Sequence, residues 1–191
     1  MAHGMTEIRW HGRGGQGAKT AAQLVAQVAL EEGKYSQGFP EYGPERMGAP
    51  IRGFTRISDH AIRLHCPIEQ PDVVVVLDDS LLALSAITAA TGSGTVFVIN
   101  TTASPAETKE RLGQADATVY CIDATGISIN EIGRPIPNTP MIGALIKVTE
   151  CITLDAIKKD VKKKFLKKFG ERVVQGNIRA IERAYEEVKS E

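Results

Sequence analysis

The densest chemistry-bearing pattern in the chain is Gly12-Arg13-Gly14-Gly15-Gln16-Gly17. A glycine-rich turn between a strand and a helix lets backbone N–H groups approach an anion closely, and the helix start adds partial positive charge, so phosphate is its natural ligand. Arg13 can offer a bidentate guanidinium, and Gln16 and Lys19 can add donors. The spacing satisfies the dinucleotide pattern G-x-G-x-x-G only because its fourth position is also glycine. A ribose-binding carboxylate is expected about twenty residues further on. That region instead reads Lys34-Tyr35-Ser36-Gln37-Gly38-Phe39-Pro40, which argues against NAD. A purely structural reading stands beside the phosphate one, in which the glycines only permit tight strand-to-helix packing.

No nucleophile–base pair accompanies the turn. His11 directly precedes it but has no orienting partner in the sequence, so a packing role is expected. His60 and His65 flank an expected β-hairpin, and His3 lies ahead of Met5. Cys66, Cys121 and Cys151 form no C-x-x-C pair, which argues against a local zinc or iron-sulfur cluster and for small buried hydrophobes. Lys plus Arg equals Asp plus Glu at 23 each, so no global field favours nucleic acid. Neither a run of about eighteen apolar residues nor a basic leader with an apolar core is found, so a cytoplasmic chain without a membrane span or secretory signal is expected. Met1-Ala-His-Gly ahead of Met5 reads as an added leader, leaving residues 5–191 as a single domain.

The elements that must position the turn follow from hydrophobic spacing. Ile8-Arg9-Trp10 reads as a strand entering the turn, and Ala18, Ala21, Ala22, Val25, Val28 and Ala29 recur at helical spacing until Gly33. Residues 35–50, with three prolines and three glycines, read as a long functional loop. Phe54–Ser58 and Ala61–Leu64 alternate around Asp59-His60, suggesting a β-hairpin. Val73–Leu77 is a continuous apolar run ending in Asp78-Asp79-Ser80, as in a central strand, with a helix expected over Leu81–Ala90. Strands at Thr95–Ile99 and Thr118–Ile122 enclose a helix at Ala106–Gly113. Asn138-Thr139-Pro140 reads as a capped helix start leading to Val148, and helices at Leu154–Phe169 and Val173–Lys189 close the chain. Lys158, Lys159, Lys162, Lys163, Lys164, Lys167 and Lys168 lie opposite an apolar stripe, as a solvated face or a docking surface for an acidic partner. The fold class is α/β: three layers, α/β/α, on a mostly parallel mixed sheet, Rossmann-like, with a β-hairpin.

Three segments together resemble the gamma subunits of pyruvate and related 2-oxoacid:ferredoxin oxidoreductases. They are His11–Lys19, Phe39–Pro50 (Phe-Pro-Glu-Tyr-Gly-Pro-Glu-Arg-Met-Gly-Ala-Pro) and Ile136–Leu145 (Ile-Pro-Asn-Thr-Pro-Met-Ile-Gly-Ala-Leu). The resemblance spans nearly the whole chain, from Ile8 to Val188. It implies a complex in which alpha, beta and delta subunits hold thiamine diphosphate, Mg2+ and [4Fe-4S] clusters. That complex converts a 2-oxoacid, coenzyme A and oxidised ferredoxin to an acyl-CoA, carbon dioxide and reduced ferredoxin. By similarity, Glu41, Tyr42, Gly43, Pro44, Glu45 and Arg46, with Asn138 and Thr139, pack near the assembled active site. Gly12, Arg13, Gly14, Gly15, Gln16 and Gly17 are the candidates to hold coenzyme A phosphates; the chain is expected to bind no other cofactor and no metal. Pyruvate is the expected substrate, with 2-oxoglutarate, branched-chain 2-oxoacids and indolepyruvate as alternatives. A free-standing nucleotide-binding oxidoreductase and a purely structural subunit are the rivals from other classes.

Overall fold

The computed structural model describes residues 4–41 and 47–190. Its sheet contains β1 (Met5–Arg13), β2 (Tyr35–Pro40), β3 (Pro50–Ser58), β4 (Val73–Val76), β5 (Val96–Asn100) and β6 (Thr118–Ile122), in the order β2-β3-β1-β4-β5-β6. β1, β4, β5 and β6 run parallel, and β3 pairs antiparallel with both β1 and β2. β1 is longer than its apolar centre suggests. Pairing with β4 carries it to His11 and pairing with β3 to Gly12 and Arg13, so the first part of the glycine pattern is strand.

Two expectations in this half of the chain are corrected. The hairpin partner of β3 is β2, in register from Tyr35 opposite Ser58 to Pro40 opposite Gly53, and Ala61–Leu64 forms no strand. The first part of the expected irregular loop is therefore an edge strand. Gly38 explains why it does not read as one. A Cβ there would lie 2.8 Å from the Ala22 carbonyl oxygen, so the close approach of α1 (Ala18–Glu31) to β2 requires glycine. Pro40 is tolerated because the strand lies at the sheet edge.

One face of the sheet carries a thick helical layer: α1, α4 (Ala124–Ile132), α5 (Asn138–Thr149), α6 (Leu154–Phe169) and α7 (Glu171–Glu187). Ile8, Trp10, Val73, Val75, Val98 and Ile122 point into it, and Met141, Ile142, Leu145, Ile181 and Ala184 answer from the helices. Alternate residues Val74, Val76, Phe97, Ile99, Val119 and Cys121 face a thinner layer. That layer consists of a 3-10 turn at Asp79–Leu81, α2 (Ser85–Thr88) and α3 (Pro105–Leu112). Serine at 104 and glutamate at 107 close a reciprocal capping box at the start of α3.

The single helix expected over Leu81–Ala90 is broken into the 3-10 turn and the four-residue α2. Asp78 caps the first through the Ser80 N–H, and the buried Arg9 guanidinium takes the Ile87 and Ala89 carbonyls at 3.0 and 2.9 Å, ending the second. α4 went unforeseen although its marks are local: Asp123 accepts from the Gly126 N–H at its start, and left-handed Gly133 closes it. Asn138 does not cap α5 in the expected way. Pro137 occupies the cap position, and the Asn138 side chain accepts instead from the Thr139 N–H inside the first turn.

Candidate functional site

Chain topology places the glycine turn at a crevice. After β1 the chain turns to α1 on one face of the sheet; after its neighbour β4 it turns to the 3-10 turn and α2 on the other. Such a switch point, beyond the carboxyl ends of adjacent parallel strands, is where open α/β sheets bind ligands. The turn fills one wall, and Asp78-Asp79-Ser80 fills the other.

The two walls are knitted together. Gln16 donates to Asp78 Oδ2 at 2.7 Å and accepts from the Arg13 N–H at 2.7 Å. Arg13 reaches across to the Ser80 hydroxyl at 2.8 and 3.2 Å and to Asp78 at 3.3 Å. The Ser80 N–H and hydroxyl both donate to Asp78 Oδ1, at 3.0 and 2.5 Å. Burial pushes the Asp78 carboxyl up, but these hydrogen bonds and the Arg13 charge outweigh it and hold the group below the usual carboxylate range. A third strand of chain joins from below. Gly14 N–H donates to the Ala49 carbonyl at 2.9 Å, Gly48 N–H to the Gly14 carbonyl at 3.1 Å, and Arg13 to the Gly48 carbonyl at 3.1 Å.

What remains open is backbone. Gly15 and Gly17 adopt left-handed φ values of 100° and 84°, and their N–H groups take no partner among the described residues. α1 begins directly at Gly17 with no side-chain cap and no acidic residue in its first turn. Unclaimed N–H groups at an uncapped helix start suit an anion. The Asn138 side chain leans against this corner: a Cβ on Gly17 would come within 2.6 Å of Asn138 Nδ2. The Arg13 guanidinium is turned to Ser80, Gly48 and Asp78 and braces the turn.

Tyr42, Gly43, Pro44, Glu45 and Arg46 lie outside the described residues. Glu41 ion-pairs with Arg52, its two carboxylate oxygens accepting from Nε and Nη2 of one guanidinium edge. Thr139 is buried and donates to Asn177 Oδ1 at 2.9 Å, a packing contact between α5 and α7. His11 is buried and accepts from Arg9 at 3.1 Å; burial, then the charges of Arg9 and Arg52, push its pKa down to about 3. It is neutral and poorly basic, in keeping with a packing role. Cys121 and Cys151 are buried on opposite faces of the sheet and Cys66 is exposed, so the three thiols cannot share a metal centre. The sequence marks Asp78 and Ser80 only as the polar end of an apolar strand and gives no sign that they hold the turn.

The family model for pyruvate ferredoxin/flavodoxin oxidoreductase matches residues 7–187. A pyruvate synthase subunit, PorC, of Thermotoga maritima is 49% identical over 96% of this chain and 94% of its own length. The pyruvate/ketoisovalerate oxidoreductases common subunit gamma of Thermococcus kodakarensis is 45% identical over 95% and 96%. The crystal structure of the pyruvate oxidoreductase subunit PORC from Thermotoga maritima superposes with a TM-score of 0.88, covering 98% of this chain and 99% of that one at 46% identity.

Proposed function

Because the chain belongs to the pyruvate ferredoxin/flavodoxin oxidoreductase family, we propose that it is the gamma subunit of a multisubunit 2-oxoacid:ferredoxin oxidoreductase acting on pyruvate. The assembled enzyme converts pyruvate, coenzyme A and oxidised ferredoxin to acetyl-CoA, carbon dioxide and reduced ferredoxin. In this reading alpha, beta and delta partners hold thiamine diphosphate, Mg2+ and the [4Fe-4S] clusters, and coenzyme A supplies the thiol that receives the acyl group. The common gamma subunit of Thermococcus kodakarensis carries both pyruvate and ketoisovalerate in its name, which supports placing 2-oxoacid selection in other subunits.

This chain's own part is to hold the coenzyme A phosphates at the switch-point crevice. The observation that carries it is the open backbone corner of Gly15, Gly17 and the uncapped start of α1. The same geometry disfavours a dinucleotide. Glu41 follows β2 at the proper end of the sheet, but β3 separates β2 from β1, which sets Glu41 about 10 Å away laterally, and Arg52 already claims it. The engagement of Arg13 with Asp78, Ser80 and Gly48 favours a second, structural role for the side-chain half of the turn, bracing the corner rather than contacting phosphate.

Anaerobic affinity purification of this chain from its host, with the eluate assayed for viologen reduction, tests the reading. Co-eluting subunits with activity requiring both pyruvate and coenzyme A are expected. Activity with another 2-oxoacid alone would keep the subunit and remove pyruvate; a solitary NAD-binding protein would overturn the assignment.

A further inference from the structure

A second concavity lies away from the switch-point crevice. It is an open groove of about 1220 Å³ on the helical side, walled by α1, the α4–α5 connection, the C-terminal half of α6 and the first turn of α7. Lys163, Lys164, Lys167 and Lys168 line it from α6, Arg134 from the connection and Arg172 from α7. The lysines at 163 and 167, and at 164 and 168, stack one helical turn apart, so four of the seven lysines wall a groove instead of covering a plain solvated face.

The charges in this groove are not balanced from within. Lys164 lies 2.9 Å from the wholly buried Asp160, and Lys163 lies 3.6 Å from Glu31. Arg134, Lys167, Lys168 and Arg172 have no carboxylate partner among the described residues. The carboxylate lining the groove, Glu131, is committed to Arg179 and Arg183, at 2.8 and 2.9 Å. Lys167 and Lys168 suit the C-terminal end of α6, where the helix dipole favours cations. Arg172 does not have that explanation. It sits in the first turn of α7, where the dipole disfavours a positive charge, and α7 has no side-chain cap.

Apolar surface is set among these cations. Phe165 and Phe169 both line the groove and pack edge to face with centroids 5.7 Å apart, and Phe169 is 55% exposed. A phosphate ligand has no use for an exposed phenyl ring between lysines, whereas a protein segment with an apolar anchor flanked by carboxylates matches both features. The volume also exceeds the range of roughly 300–1,000 Å³ typical of small-molecule sites.

We infer that this groove docks an acidic segment of a companion subunit, its carboxylates meeting Arg134, Lys167, Lys168 and Arg172 and an apolar side chain covering Phe169. The inference rests on the gamma-subunit reading. Carbodiimide cross-linking of the intact complex, followed by mass spectrometry, is expected to join Lys167 or Lys168 to an aspartate or glutamate of another chain. The combined variant Lys167→Glu, Lys168→Glu, Arg172→Glu should bind the remaining subunits at least tenfold more weakly at low ionic strength. Phe169→Ala, which leaves every charge in place, should also weaken assembly. Cross-links confined to this chain, or a charge-reversed variant that assembles as tightly as the parent, would overturn the inference while leaving the gamma-subunit reading intact. Loss of the cross-links on adding coenzyme A, with assembly unchanged, would make the groove a phosphate site and equally overturn it. A parent chain that assembles with no other subunit would remove both.

Discussion

The switch-point crevice and the groove beside α6 both carry cations, and the fold treats them in opposite ways. In the crevice Arg13 meets a carboxylate, a hydroxyl and a carbonyl, all supplied by this chain. In the groove Arg134, Lys167, Lys168 and Arg172 meet no carboxylate among the described residues. A cation satisfied internally shapes structure; a cluster left unsatisfied offers attraction to something else. With side chains 34% and 19% exposed, the Arg13–Asp78 ion pair by itself is worth no more than about 1 kcal/mol. The crevice is therefore held mainly by the hydrogen bonds that converge on Asp78, and the proposed ligand binding falls to the backbone.

The largest effect that would break this contrast is expected at Asp78. Asp78→Ala removes the acceptor shared by Gln16, Ser80 and Arg13 and should lower the stability of the isolated chain by about 2 kcal/mol, roughly 5 °C in thermal midpoint. The carboxyl titrates below its ordinary value in the folded chain, so its contribution is full above the usual carboxylate range and drains as the pH falls through the lower folded value. Asp78→Asn should accordingly flatten the acid limb of a stability-against-pH curve. An acid limb identical to that of the parent would show that Asp78 does not organise the turn.

A smaller and distinct pH effect belongs to His11. Its folded pKa of about 3 lies below the ordinary 6.5, so between those values the unfolded chain takes up a proton that the folded chain refuses, and stability falls on acidification. His11→Gln keeps an acceptor for Arg9 and should make that fall shallower, as denaturant titrations at several pH values can show. The smallest effect is expected in the groove. Lys167→Glu with Lys168→Glu and Arg172→Glu should change the stability of the isolated chain by no more than about 0.5 kcal/mol per site, because exposed cations without partners contribute little to folding. A large loss would mean that the groove cations hold the fold together, and the contrast would collapse.

What the sequence revealed follows the same division between local and long-range causes. β4, β5, α1 and α6 were legible because continuous apolar runs and helical spacing act within one element. β2 was not, because Gly38 and Pro40 serve the approach of α1 and an edge position, and both residues read locally as loop. Ala61–Leu64 alternates like a strand, yet β3 already has β1 and β2 on its two edges, so no place in the sheet remains for it. The break in the Leu81–Ala90 helix depends on Arg9, nearly eighty residues upstream, which periodicity cannot register. At the site, the glycine turn was plain, whereas its dependence on Asp78 and Ser80 follows from β4 lying beside β1, a fact of strand order. Arg13 reads as a phosphate ligand from its type and place, and only the folded chain shows that it also bridges the turn to Ser80 and Gly48.

The most direct test of the account is the coenzyme A dependence of viologen reduction, at saturating pyruvate, by the assembled enzyme carrying Gly17→Ala. An added Cβ would meet Asn138 at 2.6 Å and disturb the left-handed backbone of the open corner, so subunit assembly is verified first. At least a tenfold rise in the KM for coenzyme A with the KM for pyruvate unchanged is expected. An assembled variant whose coenzyme A dependence equals that of the parent would contradict it.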